Sequence, residues 1–506
     1  MFGYFCLYVK NFKMQTENHL LKKRVNLFDG ISIVAGSMIG SGIFIVSSDI
    51  ARNVGSPGWL MVVWLITGII TVIGAISYGE LASMMPHVGG QYVYLKEAYH
   101  PLVGFLFGWT TFLVIQCGSI AAVAVAFAKF TGVLIPWISD RNILFQAGFL
   151  KVNSTMVVAI ASIAFLTWLN TRGIVTGKTV VNIFTSTKVI ALFGFILIGF
   201  FAVRGNTSWE LNKEVFWDAS QIGNGDKAIP LAGFALVAAV GAALVGSLFS
   251  SDAWYNVTYI SGEVINPKRT VPLSLIFGTL IVSVIYLFTN WVYIRILPLS
   301  GSPEGVDTLA RGIQFATDDR VATSAMNVVF GDIAAVIMAV FIMVSTFGCN
   351  HSLILAGPRV YYAMARDGLF FKKVGEINRK GVPGFAIALQ GLWAVLLCLS
   401  GTYSDLLDYV IFAVLIFFAL TITAIFILRV KRPDIPRPYK AWGYPVIPAV
   451  YILTTTFIMI ILLLYKPNYT FPGLVIVLIG IPVYYLWRRS SRNSGTEIIR
   501  KYDDEE

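Results

Sequence analysis

About twelve apolar runs, each long enough to cross a bilayer, divide this chain. They begin near residues 30, 58, 102, 154, 178, 230, 272, 328, 382, 406, 444 and 471. A membrane helix needs about 20 mainly apolar residues to cross the hydrocarbon core. Irregular backbone cannot face lipid, because its N–H and C=O groups would lack partners there. The runs therefore predict an all-α membrane protein of about twelve transmembrane helices. Composition agrees: 13% of residues are charged, 57% are hydrophobic and the mean hydropathy is +0.74. A soluble domain carries about 25% charged residues.

The formal net charge of +11 raises the question of a nucleic-acid partner. The placement of the charges answers it. With both termini inside, 26 of the 38 Lys and Arg residues fall in the N-terminal segment, the inner loops and the tail. The outer loops hold 11, and Lys188 lies within a span. This is the positive-inside pattern of an even helix count. It predicts a multi-pass cell (inner) membrane protein with both termini cytoplasmic and no nucleic-acid partner. Met14 opens a more ordinary amphipathic lead-in than "MFGYFCLYVK", which leaves Met1 and Met14 as alternative starts.

The four cysteines, Cys6, Cys117, Cys349 and Cys398, are scattered, with no CxxC and no outer-loop pair. His19, His87, His100 and His351 form no HxxxH. The expectation is no disulfide framework, no metal and no cofactor. No nucleophile–base constellation exists, which argues against an enzyme.

Two runs are interrupted where a spanning helix should be most regular. The first contains "VAGSMIGSGIF", which sets Gly36, Gly40 and Gly42 beside Ser37 and Ser41. Glycine costs about 1 kcal/mol against alanine in a helix interior, although close helix packing also uses it. The sixth contains "GSLFSSDAWYNV", where Ser247, Ser250, Ser251, Asp252 and Asn256 interrupt an apolar helix. An intramembrane Asp is costly unless it faces protein or water. Interrupted segments in corresponding places of two halves point to a transporter site. Here they lie five spans apart, as a repeat of helices 1–5 by helices 6–10 requires. A broken helix offers free amides for an anion and free carbonyls for an ammonium. A zwitterionic amino acid needs both.

At these residues the chain resembles the amino acid–polyamine–organocation superfamily, in particular a prokaryotic-type member of its L-type amino-acid transporter branch. "GSMIGSGIF", "SYGELASMMPHVGGQYVYLKEAYHP", "FSSDAWYNVTYISGEVINPKRTVP", "STFGCNHSLILAGPRVYYAMARDGLFF" and "RPDIPRPYKAWGYPVIP" follow the family order over roughly residues 27–490. The resemblance implies a LeuT-like 5+5 inverted repeat with discontinuous helices 1 and 6, and sodium-independent exchange or uptake of amino acids. It implies a cytoplasmic segment 1–26, repeats 27–203 and 204–429 (outer loop 204–228), two appended helices in 430–489 and a cytoplasmic tail 490–506. It places the substrate carboxylate on the amides of Gly40, Ser41 and Gly42, and the ammonium on carbonyls of Met38, Phe249 and Asp252. Phe249 falls at the family's aromatic gate. Ser37, Ser250, Ser251, Trp254, Gln116 and Val414 complete the implied pocket.

Lys188 sits deep in the fifth run. A buried ammonium must be paired, neutralised or snorkelling. The resemblance sets it where sodium-coupled relatives hold their ion, tied to first-helix carbonyls and to Ser345. Gln116 falls where acidic-substrate members carry an arginine, which disfavours anionic substrates. Val414 leaves the helix-ten wall apolar. The outer loop "FTGVLIPWISDRNILFQAGFLKV" holds no cysteine, so no disulfide-linked heavy subunit is expected. Asp252 has two readings: a cap for the broken helix, or a partner for a dibasic side chain. Proton symport through Lys188 and an amino-acid sensor without turnover are the rival functions.

Overall fold

The computed structural model describes residues 23–493 apart from 148–149, 202–206, 224–227, 400–402 and 466. The lead-in with Met14 and the tail beyond residue 493 lie outside the described residues. Leu27–Met38 (α1) and Gly42–Val54 (α2) are one broken span, bent by 40°. Then come Pro57–Met84 (α3), the short Gln91–Ala98 (α4), Pro101–Leu134 (α5), Ser154–Asn170 (α6) and Ile174–Phe201 (α7). Gly233–Ser250 (α8) and Asn256–Tyr259 (α9) flank the second break. Pro267–Ile296 (α10), Val321–Phe330 (α11), Asp332–Ala356 (α12) and Pro358–Arg366 (α13) follow. Gly384–Cys398 (α14), Tyr403–Lys431 (α15), Val446–Tyr465 (α16) and Pro467–Asn493 (α17) complete the helices used below. A two-stranded hairpin, Ile143–Ala147 with Leu150–Asn153, joins α5 to α6.

The span count needs a correction. Among the described residues nine helices are long and apolar enough to cross a membrane, and the bent pair α1/α2 makes a tenth. The runs near 154 and 382 form helices of only 17 and 15 residues, α6 and α14. Both are apolar but fall short of the usual crossing length.

Helix α10 packs along α3 and α1, α8 along α2, and α12 along α5 and α7. This brings both breaks to the centre of the bundle. Each end of the broken first span has a local reason. Asn26 caps α1 in a reciprocal capping box with Asp29, which satisfies two orphan first-turn donors. Gly55, at φ +55°, ends α2 in a left-handed cap, the conformation glycine adopts without steric cost. The glycines of the break serve a different need. None of Gly36, Gly40 and Gly42 has a left-handed φ. They allow close approach: a Cβ on Gly40 would lie 3.0 Å from Cys349 Sγ, and one on Gly42 would lie 2.9 Å from the Ser250 Cα.

Candidate functional site

The helix ends at Ile39, whose ψ of 87° leaves the helical region. Residues 39–41 then link the half-helices. Gly42 opens α2, so its N–H is a first-turn donor with no intrahelical acceptor. The Gly40 N–H turns back onto the Met38 carbonyl at 2.8 Å. That carbonyl also accepts from the Tyr286 hydroxyl at 2.9 Å, which donates as well towards the Ser250 carbonyl at 3.1 Å. Tyr286 on α10 thus pins the inner lip of one break to the end of the other.

The second break runs from Ser251 to Tyr255, with the Asp252 N–H donating to the Phe249 carbonyl at 3.1 Å. Ala253 sits at φ +63°. A left-handed alanine costs roughly 1–2 kcal/mol, so surrounding packing imposes this turn.

Between the breaks lies a cavity with about 320 Å³ of empty volume, counting space open to solvent. Ser37, Met38, Gly40, Ser41 and Gly42 line one side, and Phe249, Ser250, Asp252 and Ala253 the other. Ser119 and Val123 from α5 and Cys349 and Leu353 from α12 complete it. Cys349, which sequence reasoning passed over, donates its thiol to the Ser37 carbonyl at 3.0 Å. Two buried polar atoms on this wall have no protein partner: the Ser37 hydroxyl and Asp252 Oδ1. A buried polar group without a partner costs about 1–3 kcal/mol, so both are poised for a ligand or water.

The remaining predicted pocket residues separate. Ser251, Trp254 and Val414 line a second cavity of about 310 Å³ between α3, α8, α15 and α16, with Thr71, Phe418 and Tyr451. Asp252 lines both cavities. Gln116 lines neither. Its amide donates to the Leu353 carbonyl at 2.8 Å, so it serves α5–α12 packing.

Lys188 is 1% exposed. Its ammonium donates to the Gly36 and Ile39 carbonyls, each at 2.7 Å, and reaches the Ser345 carbonyl at 3.5 Å. The Ser345 hydroxyl donates to the Ile39 carbonyl at 3.2 Å. Lysine is therefore paired rather than snorkelling. It is the top rung of a ladder. Helix α7 presents Lys178, Asn182, Thr185 and Lys188 on one face, at helical spacing. Asp29 accepts from Lys178 at 2.8 Å and from Asn182 at 2.7 Å, and Thr185 donates to the Ser32 carbonyl at 3.1 Å. The whole inner half-helix α1 is stitched to α7.

A second closure lies beside it. Val25 pairs with Val264, and the Glu263–Arg359 ion pair at 2.8 Å is fully buried. Arg359 also donates to the Leu355 carbonyl.

A broken-helix cavity flanked by a paired lysine is the arrangement expected of an amino-acid carrier, and comparison with known proteins decides the family. Residues 25–485 match the family model described as "Amino acid permease". The chain belongs to the amino acid permease family. Its fold is the LeuT-like one of that family, with the broken first and sixth spans described above. Membership makes it a multi-pass membrane protein among transporters. The chain is similar to the large neutral amino acids transporter small subunit 2 of Mus musculus, 30% identical over 472 residues, covering 92% of this chain and 81% of the relative. It is 28% identical over 476 residues to the b(0,+)-type amino acid transporter 1 of Homo sapiens, covering 92% and 88%. It is 29% identical over 475 residues to the serine/threonine exchanger SteT of Bacillus subtilis (strain 168), covering 93% and 98%.

Proposed function

We propose that the chain is a sodium-independent permease or exchanger that moves neutral L-amino acids across the cell membrane by alternating access. The observation that carries this reading is the cavity between two helix breaks, with unpartnered Ser37 Oγ and Asp252 Oδ1 on its wall. Relatives named for large neutral amino acids and for serine/threonine exchange support it.

In this reading the substrate carboxylate meets the Ser41 and Gly42 amides at the N-terminus of α2, where the helix dipole favours an anion. Gly40 joins when its bond to Met38 opens. The ammonium meets the carbonyls of Phe249 and Asp252, with Met38 as a third acceptor. Phe249 closes the cavity as the gate. Lys188 supplies the positive charge that a bound sodium ion would otherwise place against the α1 carbonyls, so no sodium requirement follows.

Among the described residues no Lys or Arg lines the cavity between the breaks, and Val414 keeps the neighbouring wall apolar, which disfavours glutamate and aspartate. Asp252, facing two cavities, favours a second reading in which dibasic side chains are also accepted. The positive-inside charge pattern supports cytoplasmic termini, and the cysteine-free loop 130–152 supports function without a disulfide-linked heavy subunit. No catalytic constellation supports an enzyme.

Uptake of labelled amino acids into proteoliposomes tests the reading, with and without amino acid preloaded inside. Trans-stimulated, sodium-independent uptake of neutral amino acids is expected. Uptake that needs an acidic exterior and ignores preloading would establish proton symport instead, and binding without accumulation would make the protein a sensor.

A further inference from the structure

A larger recess, with about 710 Å³ of empty volume that includes space open to solvent, shares no lining residue with the cavity between the helix breaks. It opens where α5 ends, between the start of α6 and the segment preceding α11. Its charged lining is Lys129, Asp140, Arg141, Asp318 and Arg320. Lys129 stands 3.7 Å from Asp140, and Arg320 Nη2 stands 2.7 Å from Asp318. Arg141 makes no ion pair among the described residues. The five charges therefore sum to one uncompensated positive charge. Arg320 Nε is buried without a partner. Two guanidinium groups thus retain unused donors facing one space.

The backbone here is strained as well. Asp318 and Asp319 both lie in the left-handed region, at φ +51° and +61°. Two consecutive non-glycine residues in that region mark a segment held in place by its neighbours. Asp319 is one of the anchors: its Oδ1 accepts from the Ser48 hydroxyl and from Arg52 Nη1, each at 2.8 Å. Ser48 and Arg52 belong to α2, the outer half of the broken first span. The cavity wall and the α2 latch are therefore neighbouring residues on one strained turn.

We propose that this cavity is a binding site for a small monocarboxylate anion, separate from the amino-acid site. The carboxylate would lie between Arg141 and Arg320. Its two planar oxygens match the parallel donors of a guanidinium, which a spherical halide cannot. A single negative charge neutralises the site, and the empty volume accommodates several carbons. A ligand held by Arg320 sits one residue from the Asp319 latch, which gives the site a route to the helix that must move during transport.

The test uses the full-length protein in detergent, saturated with an amino acid that it transports, so that the central cavity is already filled. Sodium propionate replaces sodium chloride at constant ionic strength, and the unfolding temperature is measured. A saturable rise is expected, because a ligand that binds only the folded state stabilises it. Arg141→Ala breaks no ion pair, so it should unfold at the wild-type temperature without propionate. It should need at least about tenfold more propionate for half the shift, the equivalent of about 1.4 kcal/mol. No saturable rise in the wild type would overturn the proposal. So would an identical propionate response in Arg141→Ala, or a response that disappears as the amino-acid concentration is raised. None of these outcomes bears on amino-acid transport itself, which the proteoliposome assay reads separately.

Discussion

The ammonium of Lys188 lies 2.7 Å from the carbonyl oxygen of Ile39, the residue at which the inner half of the first span ends. A fixed cation on α7 thereby occupies the acceptor that a helix break leaves open. Lys188→Ala removes the Lys188 donor from the Gly36 carbonyl, leaving a buried acceptor at a cost of about 1–3 kcal/mol, while the Ile39 carbonyl keeps only the Ser345 hydroxyl. Transport should fall at least tenfold while expression remains largely intact. Near-normal uptake kinetics in this variant would remove Lys188 from the mechanism.

Gly42 tolerates no side chain, because a Cβ there would come within 2.9 Å of the Ser250 Cα. Gly42→Ala should abolish substrate binding, whereas Ser41→Ala, which keeps its amide, should change KM by only a few-fold. Competition assays provide a companion check. Amino-acid amides, lacking the carboxylate, should compete poorly with the parent acids for labelled uptake. Equal competition would show that the first break does not read the carboxylate.

Asp252 separates the two substrate readings. Asp252→Asn keeps the size and removes the charge. If the carboxylate faces a dibasic side chain, arginine and lysine uptake should fall about 10- to 100-fold, equivalent to about 1.4–2.8 kcal/mol. Neutral uptake should then stay within a few-fold. Parallel loss of both classes would make Asp252 a cap of the sixth-span break. A wild-type protein that ignores arginine and lysine would end the dibasic reading, and strong glutamate uptake would reverse the inference drawn from the absence of Lys and Arg on the cavity wall.

The ladder between α1 and α7 predicts how the cavity is sealed. Opening it to the inner side requires α1 to part from α7. Asp29→Ala removes the acceptor of both Lys178 and Asn182, and should favour that opening. Cys349, the cysteine on the cavity wall, then provides the readout. Its alkylation by a membrane-permeant maleimide should run several-fold faster in Asp29→Ala, measured by mass spectrometry, and substrate should slow it. An unchanged rate would mean that the ladder does not control access.

Glu263 and Arg359 form a pair with no exposed surface on either side chain. Removing one partner strands a buried charge, typically at about 3–5 kcal/mol. Glu263→Ala should lower the unfolding temperature by several degrees. Glu263→Gln, which retains an acceptor for Arg359, should lower it less. Equal unfolding temperatures for wild type and Glu263→Ala would show that the pair contributes nothing to holding α13 against the 261–265 segment.

Local chemistry made a good part of this protein legible. Lipid forbids unpaired backbone, so the apolar runs alone required a helical bundle, and among the described residues the shorter α6 and α14 depart from them. Clustered Gly and Ser in the first run and Ser–Ser–Asp in the sixth located both breaks, because no spanning helix places such residues at its centre without a use. The ionisable Lys188 demanded partners for the same reason. Which partners it has was beyond the sequence, since the Gly36 and Ile39 carbonyls lie about 150 residues away along the chain and no side-chain type marks a carbonyl as available. Ala253 is a good helix former, and only packing around the sixth-span break drives it into the left-handed region. Gln116 reads as a pocket residue in one dimension. In three, its amide donates to the Leu353 carbonyl on α12, and it lines neither cavity. Asp252 was visible as costly, but its position on the wall between two cavities depends on how α8, α15 and α16 converge. Spans, breaks and buried charge follow from what each residue costs in lipid. Cavity walls and hydrogen-bond partners follow from which distant segments meet, and only the assembled bundle decides that.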